Sequence, residues 1–125
     1  MKFLLQCMIV SILPFYRVDF PIADIPKSFT EVQYIGGIPH KVSPQNEQQR
    51  NKEIVLFFTI EKSGWEYDMN SYAPNYLLSS DSMSINCHND SFIVVNYKTG
   101  KGDLIQISKR VTTLFPKMAG SLNSP

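Results

Sequence analysis

The chemistry-bearing residues are few: two histidines and two cysteines in 125 residues, with Cys87 and His88 adjacent. A thiol beside an imidazole suggests a nucleophile and its base. Neighbours in a strand, however, project to opposite faces and cannot share a hydrogen bond. A thiol site therefore needs a second residue, and His40 is the remaining histidine. Cys87, His40 and a carboxylate would make the site of a small hydrolase or transferase. Against it, Cys87 occupies an apolar position of an alternating segment, where cysteine ordinarily serves as core. No catalytic residue is assigned. The histidines and cysteines lack the paired spacing of a zinc site, so neither metal nor cofactor is expected. Gly100-Lys101-Gly102 is no phosphate loop: Val95 stands where the earlier glycine belongs, and Gly102 follows Lys101 instead of Ser or Thr. Glu66 and Asp68 would share one strand face, as an acid-base pair must, but so do the carboxylates of many solvated strands. Asn89-Asp90-Ser91 fits the glycosylation sequon, which matters only in a secreted eukaryotic protein.

The most informative cluster is Trp65, Glu66, Tyr67, Asp68 and Tyr72. Tyr and Trp dominate protein-protein hot spots, and carboxylates beside them complement a basic site. These five are the expected partner-binding residues, and the expected partner is another protein with a basic site. Ser63-Gly64-Trp65-Glu66-Tyr67 and Thr99-Gly100-Lys101-Gly102 resemble the two short signatures of periplasmic C-type lysozyme inhibitors, small β-barrels that insert loop residues into an enzyme cleft. The resemblance covers nine positions, separated by a longer stretch than that family has, and it assigns no residue a role.

Composition narrows the class. The chain is 43% hydrophobic and 12% aromatic, enough apolar surface for a folded domain, and its length suits one domain. Twelve basic against eleven acidic residues, net +1, lack the electrostatic footprint of a nucleic-acid binder. Lys2 followed by the apolar run 3–13 has the start and length of a secretory signal and is too short to span a bilayer. Bulky Phe15, Tyr16, Arg17 and Val18 then stand where a cleavage site wants small residues. Export, a membrane-surface anchor and a buried core element all remain open for residues 1–17, and so do exported and cytoplasmic locations. Removing the segment would remove Cys7 and leave Cys87 alone; retaining it allows a Cys7 to Cys87 bridge that no spacing supports.

The elements that must position any site read mainly as strands. Pro14, Pro21 and Pro26 make the lead-in extended. Glu31 to Ile35 alternates polar and apolar like a half-buried strand, Gly36-Gly37 punctuates it, and Ile38 to Val42 follows. The polar run 45–53 reads as a loop or a short surface helix with Ser43 as N-cap and Pro44 at its first position. Ile54 to Ile60, continuous, β-branched and aromatic, reads as a central strand. Met83, Ile85 and Cys87 alternate with polar residues, and turns at Asn89-Asp90 and Thr99 to Asp103 give two consecutive hairpins. The expected fold is mainly β: a small antiparallel sheet, sandwich or partly open barrel ending in a meander, with residues 18–116 as the domain and 117–125 as a tail. The expected function is non-enzymatic protein binding, as by an inhibitor or a toxin-neutralising immunity-type protein. A membrane-surface ligand-binding β-domain is the third reading.

Overall fold

The computed structural model describes residues 17–89 and 91–118; the run 3–13, Cys7, Asp90 and most of the tail lie outside them. Among the described residues the strands are β1 (Arg17–Val18), β2 (Thr30–Ile35), β3 (Ile38–Val42), β4 (Trp65–Tyr67), β5 (Tyr76–Ser79), β6 (Met83–Asn89), β7 (Phe92–Lys98) and β8 (Leu104–Arg110), with one α-helix, α1 (Glu47–Ile60). The strands form one antiparallel sheet in the order β1-β4-β8-β7-β6-β5-β2-β3, open at both ends and not closed into a barrel.

The two expected hairpins are present. Met83, Ile85 and Cys87 pair with Tyr97, Val95 and Ile93, and Ile107 pairs with Val95, so one face of β6-β7-β8 is a continuous apolar layer. The β2-β3 hairpin turns on Gly36 and Gly37, at φ 58° and 80°, the left-handed pair that a two-residue turn requires. Tyr34 N–H donates to Asn75 O just before β5, so the Tyr34–Pro39 pair is not hydrogen-bonded to each other and the Pro39 nitrogen faces outward at the sheet edge. Proline there, with Lys41 two residues on, blocks a further strand from adding at β3.

Two expectations are corrected. Residues 54–60 are no central strand: they form the second half of α1, which begins at Glu47, with Asn46 as N-cap accepting from Gln49 N–H at 3.1 Å, and not at Ser43-Pro44. The β2 alternation is also inverted. Glu31 and Gln33 pair with Leu78 and Tyr76 on the helix side, while Val32 and Tyr34 face away. The reason is Arg50 on α1, whose Nε and NH2 meet the Glu31 carboxylate at 2.8 and 2.7 Å. Tyr76 O–H adds a third bond to that carboxylate at 2.7 Å, and Arg50 NH1 donates to Pro116 O. A buried carboxylate is tolerated only when so surrounded.

The other end of α1 is fastened similarly. Glu61 accepts from Lys109 Nζ at 2.8 Å and from Thr113 N–H at 2.8 Å, and its carbonyl takes the Trp65 indole N–H at 2.6 Å. Burial alone would raise the Glu61 carboxyl, but the hydrogen bonds from Lys109 and Thr113 outweigh it and hold the pKa at about 2. The helix thus crosses from β2 to β8, four strand spacings or about 19 Å, and the eleven residue steps from Arg50 to its C-cap Glu61 rise about 17 Å. Its C-terminal half packs Phe57 and Phe58 against Phe20, Phe115 and Trp65, with Phe20 stacked on Phe58 at 3.8 Å between centroids.

Candidate functional site

The five residues of the aromatic-acidic cluster divide in the folded chain. Trp65 is fully buried against Phe20 and Phe58. It is core and not a contact residue, because the inward face of β4 turns it under α1. Glu66 is exposed and faces Arg17 across the β1-β4 ladder at 3.7 Å. Tyr67 is exposed and pairs with Ile107 of β8.

Asp68 and Tyr72 serve a connection. To pass from β4 to β5 the chain crosses β8, β7 and β6, and residues 68–75 do so on the face opposite α1. Gln106 Nε2 donates to Asp68 O and Asn70 O at 3.0 and 2.7 Å, and Asn86 Nδ2 donates to Ala73 O at 3.1 Å. Tyr72 O–H closes the strap on Asp68 Oδ2 at 2.7 Å, while its ring packs edge-on to His88 at 5.4 Å between centroids and tilted on Phe92. The hydrogen bond to Asp68 pushes the Tyr72 phenol up. Burial opposes ionisation of Asp68, yet Tyr72, Ser108 and Asn70 hold its carboxyl below the usual range. Two of the expected contact residues are therefore a latch.

The thiol arrangement does not assemble. His40 pairs with Gln33, Gln33 with Tyr76, and Tyr76 with Cys87, so three strand spacings, about 14 Å, separate the pair. His40 is exposed near the sheet edge, while Cys87 is a buried free thiol whose burial pushes its pKa up. A cleft of about 220 Å³ opens beside Cys87, lined by Gln33, Tyr34, Tyr76, His88 and Lys117 among others. His88 Nδ1 is buried and has no hydrogen-bond partner among the described residues, its ring held between Tyr72 and Phe92. Among the described residues no group of three or more His, Cys, Asp or Glu side chains is placed to hold a metal ion.

Two exposed apolar surfaces escaped the sequence reading. The first is the outward ridge of α1. Because Ile54 to Ile60 is helical, its apolar residues cannot all face the sheet: Ile54, Phe57 and Phe58 are buried, while Leu56 and Ile60 stand 61% and 60% exposed, one turn apart. The segment 112–116 runs antiparallel beside the helix, from Thr113 at Glu61 to Phe115 on Phe57 and Pro116 at Arg50, and carries exposed Leu114 along the last turns. The available signal was a seven-residue apolar run following a seven-residue polar one, longer than one helix face can bury. The second lies where β4 has ended and β8 begins, at Met69, 97% exposed, and Leu104, 69% exposed. Compared with known protein families, curated proteins and solved structures, the chain finds no match.

Proposed function

We propose that this chain works by binding another protein and that the outward ridge of α1, Leu56 and Ile60, makes the contact. One observation carries the reading: a helix clamped at both ends displays large apolar side chains that stand exposed among the described residues. Exposed apolar positions on a helix one turn apart are the anchors used when a helix docks into a groove. Because Arg50 and Glu61 hold α1 in place, little conformational freedom is lost on binding. Glu66 and Tyr67 are a secondary contact at most in this reading, since Glu66 faces Arg17 and Asp68 is latched to Tyr72. The separation of Cys87 from His40 counts against the thiol-imidazole site alone.

The test is affinity capture from lysate of the source organism with the full chain as bait, beside a Leu56→Glu, Ile60→Glu variant shown by circular dichroism to be folded. The expected result is a stoichiometric protein captured by the parent chain and lost from the variant. A partner retained by the variant moves the contact elsewhere. A folded bait that captures nothing while turning over small-molecule substrates through Cys87 would replace the reading.

A further inference from the structure

The cleft beside Cys87 has a floor laid across three strands. Gln33 pairs with Tyr76 and Tyr76 with Cys87, so the three side chains stand in one row on the α1 side of β2, β5 and β6. Tyr76 and Cys87 are buried, while the Gln33 amide makes no side-chain hydrogen bond among the described residues. Over this row runs the segment that follows Phe115. Lys117 N–H donates to Phe115 O at 2.8 Å and the Met118 backbone bonds the Tyr76 phenol, so Lys117 is tethered on both sides where it lines the cleft. Asn89, at the end of β6, lines it too. Its Oδ1 accepts from Ser91 N–H and O–H at 2.9 and 3.2 Å, which leaves Nδ2 as its donor.

The charge inside the cleft has one sign. Burial pushes the Cys87 thiol up and the Lys117 charge works against it, which brings the ammonium within reach of the floor. Arg50 and Glu31 also act on the thiol, with opposite signs, and are paired with each other at 2.7 Å. The described residues that line the cleft include no aspartate or glutamate. We propose that this cleft binds a small carboxylic acid, with Lys117 meeting the carboxylate and the Gln33 and Asn89 amides donating to it. A single ammonium balances the single charge of a carboxylate, whereas phosphate is more often held by a cluster of Arg and Lys. The volume, about 220 Å³, lies below the roughly 300–1,000 Å³ of sites for drug-sized ligands and selects a compact molecule. Asn75 Nδ2 donates to His88 O, so its Oδ1 is an acceptor, and with the Gln33 carbonyl it suits a hydroxyl or ammonium group beside the carboxylate. The site is distinct from the ridge of α1 and does not rest on the protein-binding reading.

The test follows the amide resonances of the full chain by NMR as glycolate, lactate or serine is added to about 10 mM, enough to fill most of a millimolar site. The matched carboxamides, glycolamide, lactamide and serinamide, are added in parallel and need no variant. At least one acid is expected to move the Gln33 and Asn89 side-chain amides saturably, and its carboxamide to bind about tenfold more weakly or worse, the worth of a charge-assisted hydrogen bond. Lys117→Met should weaken the acid by a similar factor, and Gln33→Glu, which sets a carboxylate in the floor, should abolish its binding, with Trp65 fluorescence showing both chains folded. The Leu56→Glu, Ile60→Glu variant should bind the acid like the parent chain, which separates this site from the contact surface. The proposal is overturned if no acid moves these resonances, if the shifts fall on residues away from the cleft, if an acid and its carboxamide bind equally, or if the folded Lys117→Met and Gln33→Glu chains bind unchanged.

Discussion

Replacing Arg50 by methionine tests the account of how α1 is held. The guanidinium makes two bonds of 2.8 and 2.7 Å to Glu31 and a third contact to Pro116 O, and both charged side chains are at least nine-tenths buried. Methionine keeps most of the volume and removes every donor. Glu31 would be left inside the protein with the Tyr76 O–H bond remaining to it from this cluster, and Pro116 O would lose its donor. Breaking one side of such a pair costs about 3–5 kcal/mol, a large share of the roughly 5–15 kcal/mol that holds a domain together. Trp65, the one tryptophan, is fully buried under α1 and reports unfolding by fluorescence. With a urea m-value of about 2 kcal/mol/M, a loss of about 4 kcal/mol moves the midpoint down by about 2 M. Replacing both partners, Glu31→Met with Arg50→Met, should recover most of the loss, because no charge is then stranded. A single Arg50→Met variant that loses less than about 1 kcal/mol would refute the reasoning, since that is the range of a water-exposed pair.

The Glu61 clamp predicts an acid limb. Its folded pKa of about 2 lies below the unfolded value of about 4.5, so the stabilisation is complete above the unfolded pKa and lost as pH falls from there toward 2. The full shift corresponds to about 3 kcal/mol, and Glu61→Gln should flatten this part of a stability profile measured by urea titration between pH 6 and 2; an unchanged profile would sink the assignment. In a Cys7→Ser chain, Cys87 should resist a disulfide reagent in native buffer and react fully in denaturant, because its burial keeps it protonated and covered. Rapid native labelling at neutral pH would reopen the thiol-enzyme reading. Tyr72→Phe removes the bond to Asp68 and should cost about 1 kcal/mol while letting the Asp68 carboxyl rise toward its usual value, measurable by NMR titration. No change in that titration would mean the latch is open in solution.

The parts of the fold legible in the sequence were those where local pattern and tertiary demand agree. Met83, Ile85 and Cys87 alternate because one face of β6 meets the core, and Gly36-Gly37 occupies a turn that needs two left-handed residues. The illegible parts are those where a long-range partner decides. Ile54 to Ile60 has strand composition, and the preceding polar stretch hides that the two halves form one helix; only the Asn46 cap with Gln49 three residues on marks its start. Glu31 reads as an outward polar residue until Arg50, nineteen positions away, is placed above it. For the site, Trp65 had the composition of a hot spot and the position of a core residue, and composition cannot separate the two. Leu56 and Ile60 were hidden by the strand reading, under which every residue of the run would be covered.

The two clamps and the exposed ridge belong to one design of forces. A helix whose first half is polar and whose second half is apolar does not select its own orientation on a sheet, because no single stripe directs it. Here orientation comes from charges at the ends, Arg50 to Glu31 on β2 and Glu61 to Lys109 on β8, with the phenylalanines filling between them. Anchoring by the ends leaves the outward residues free of any folding role, so Leu56 and Ile60 can differ from polar residues without cost to the core. Their substitution by glutamate should accordingly change stability by no more than about 0.5 kcal/mol, as for surface positions generally. A loss of several kcal/mol would instead place them in the fold, and the helix face would cease to be a candidate contact.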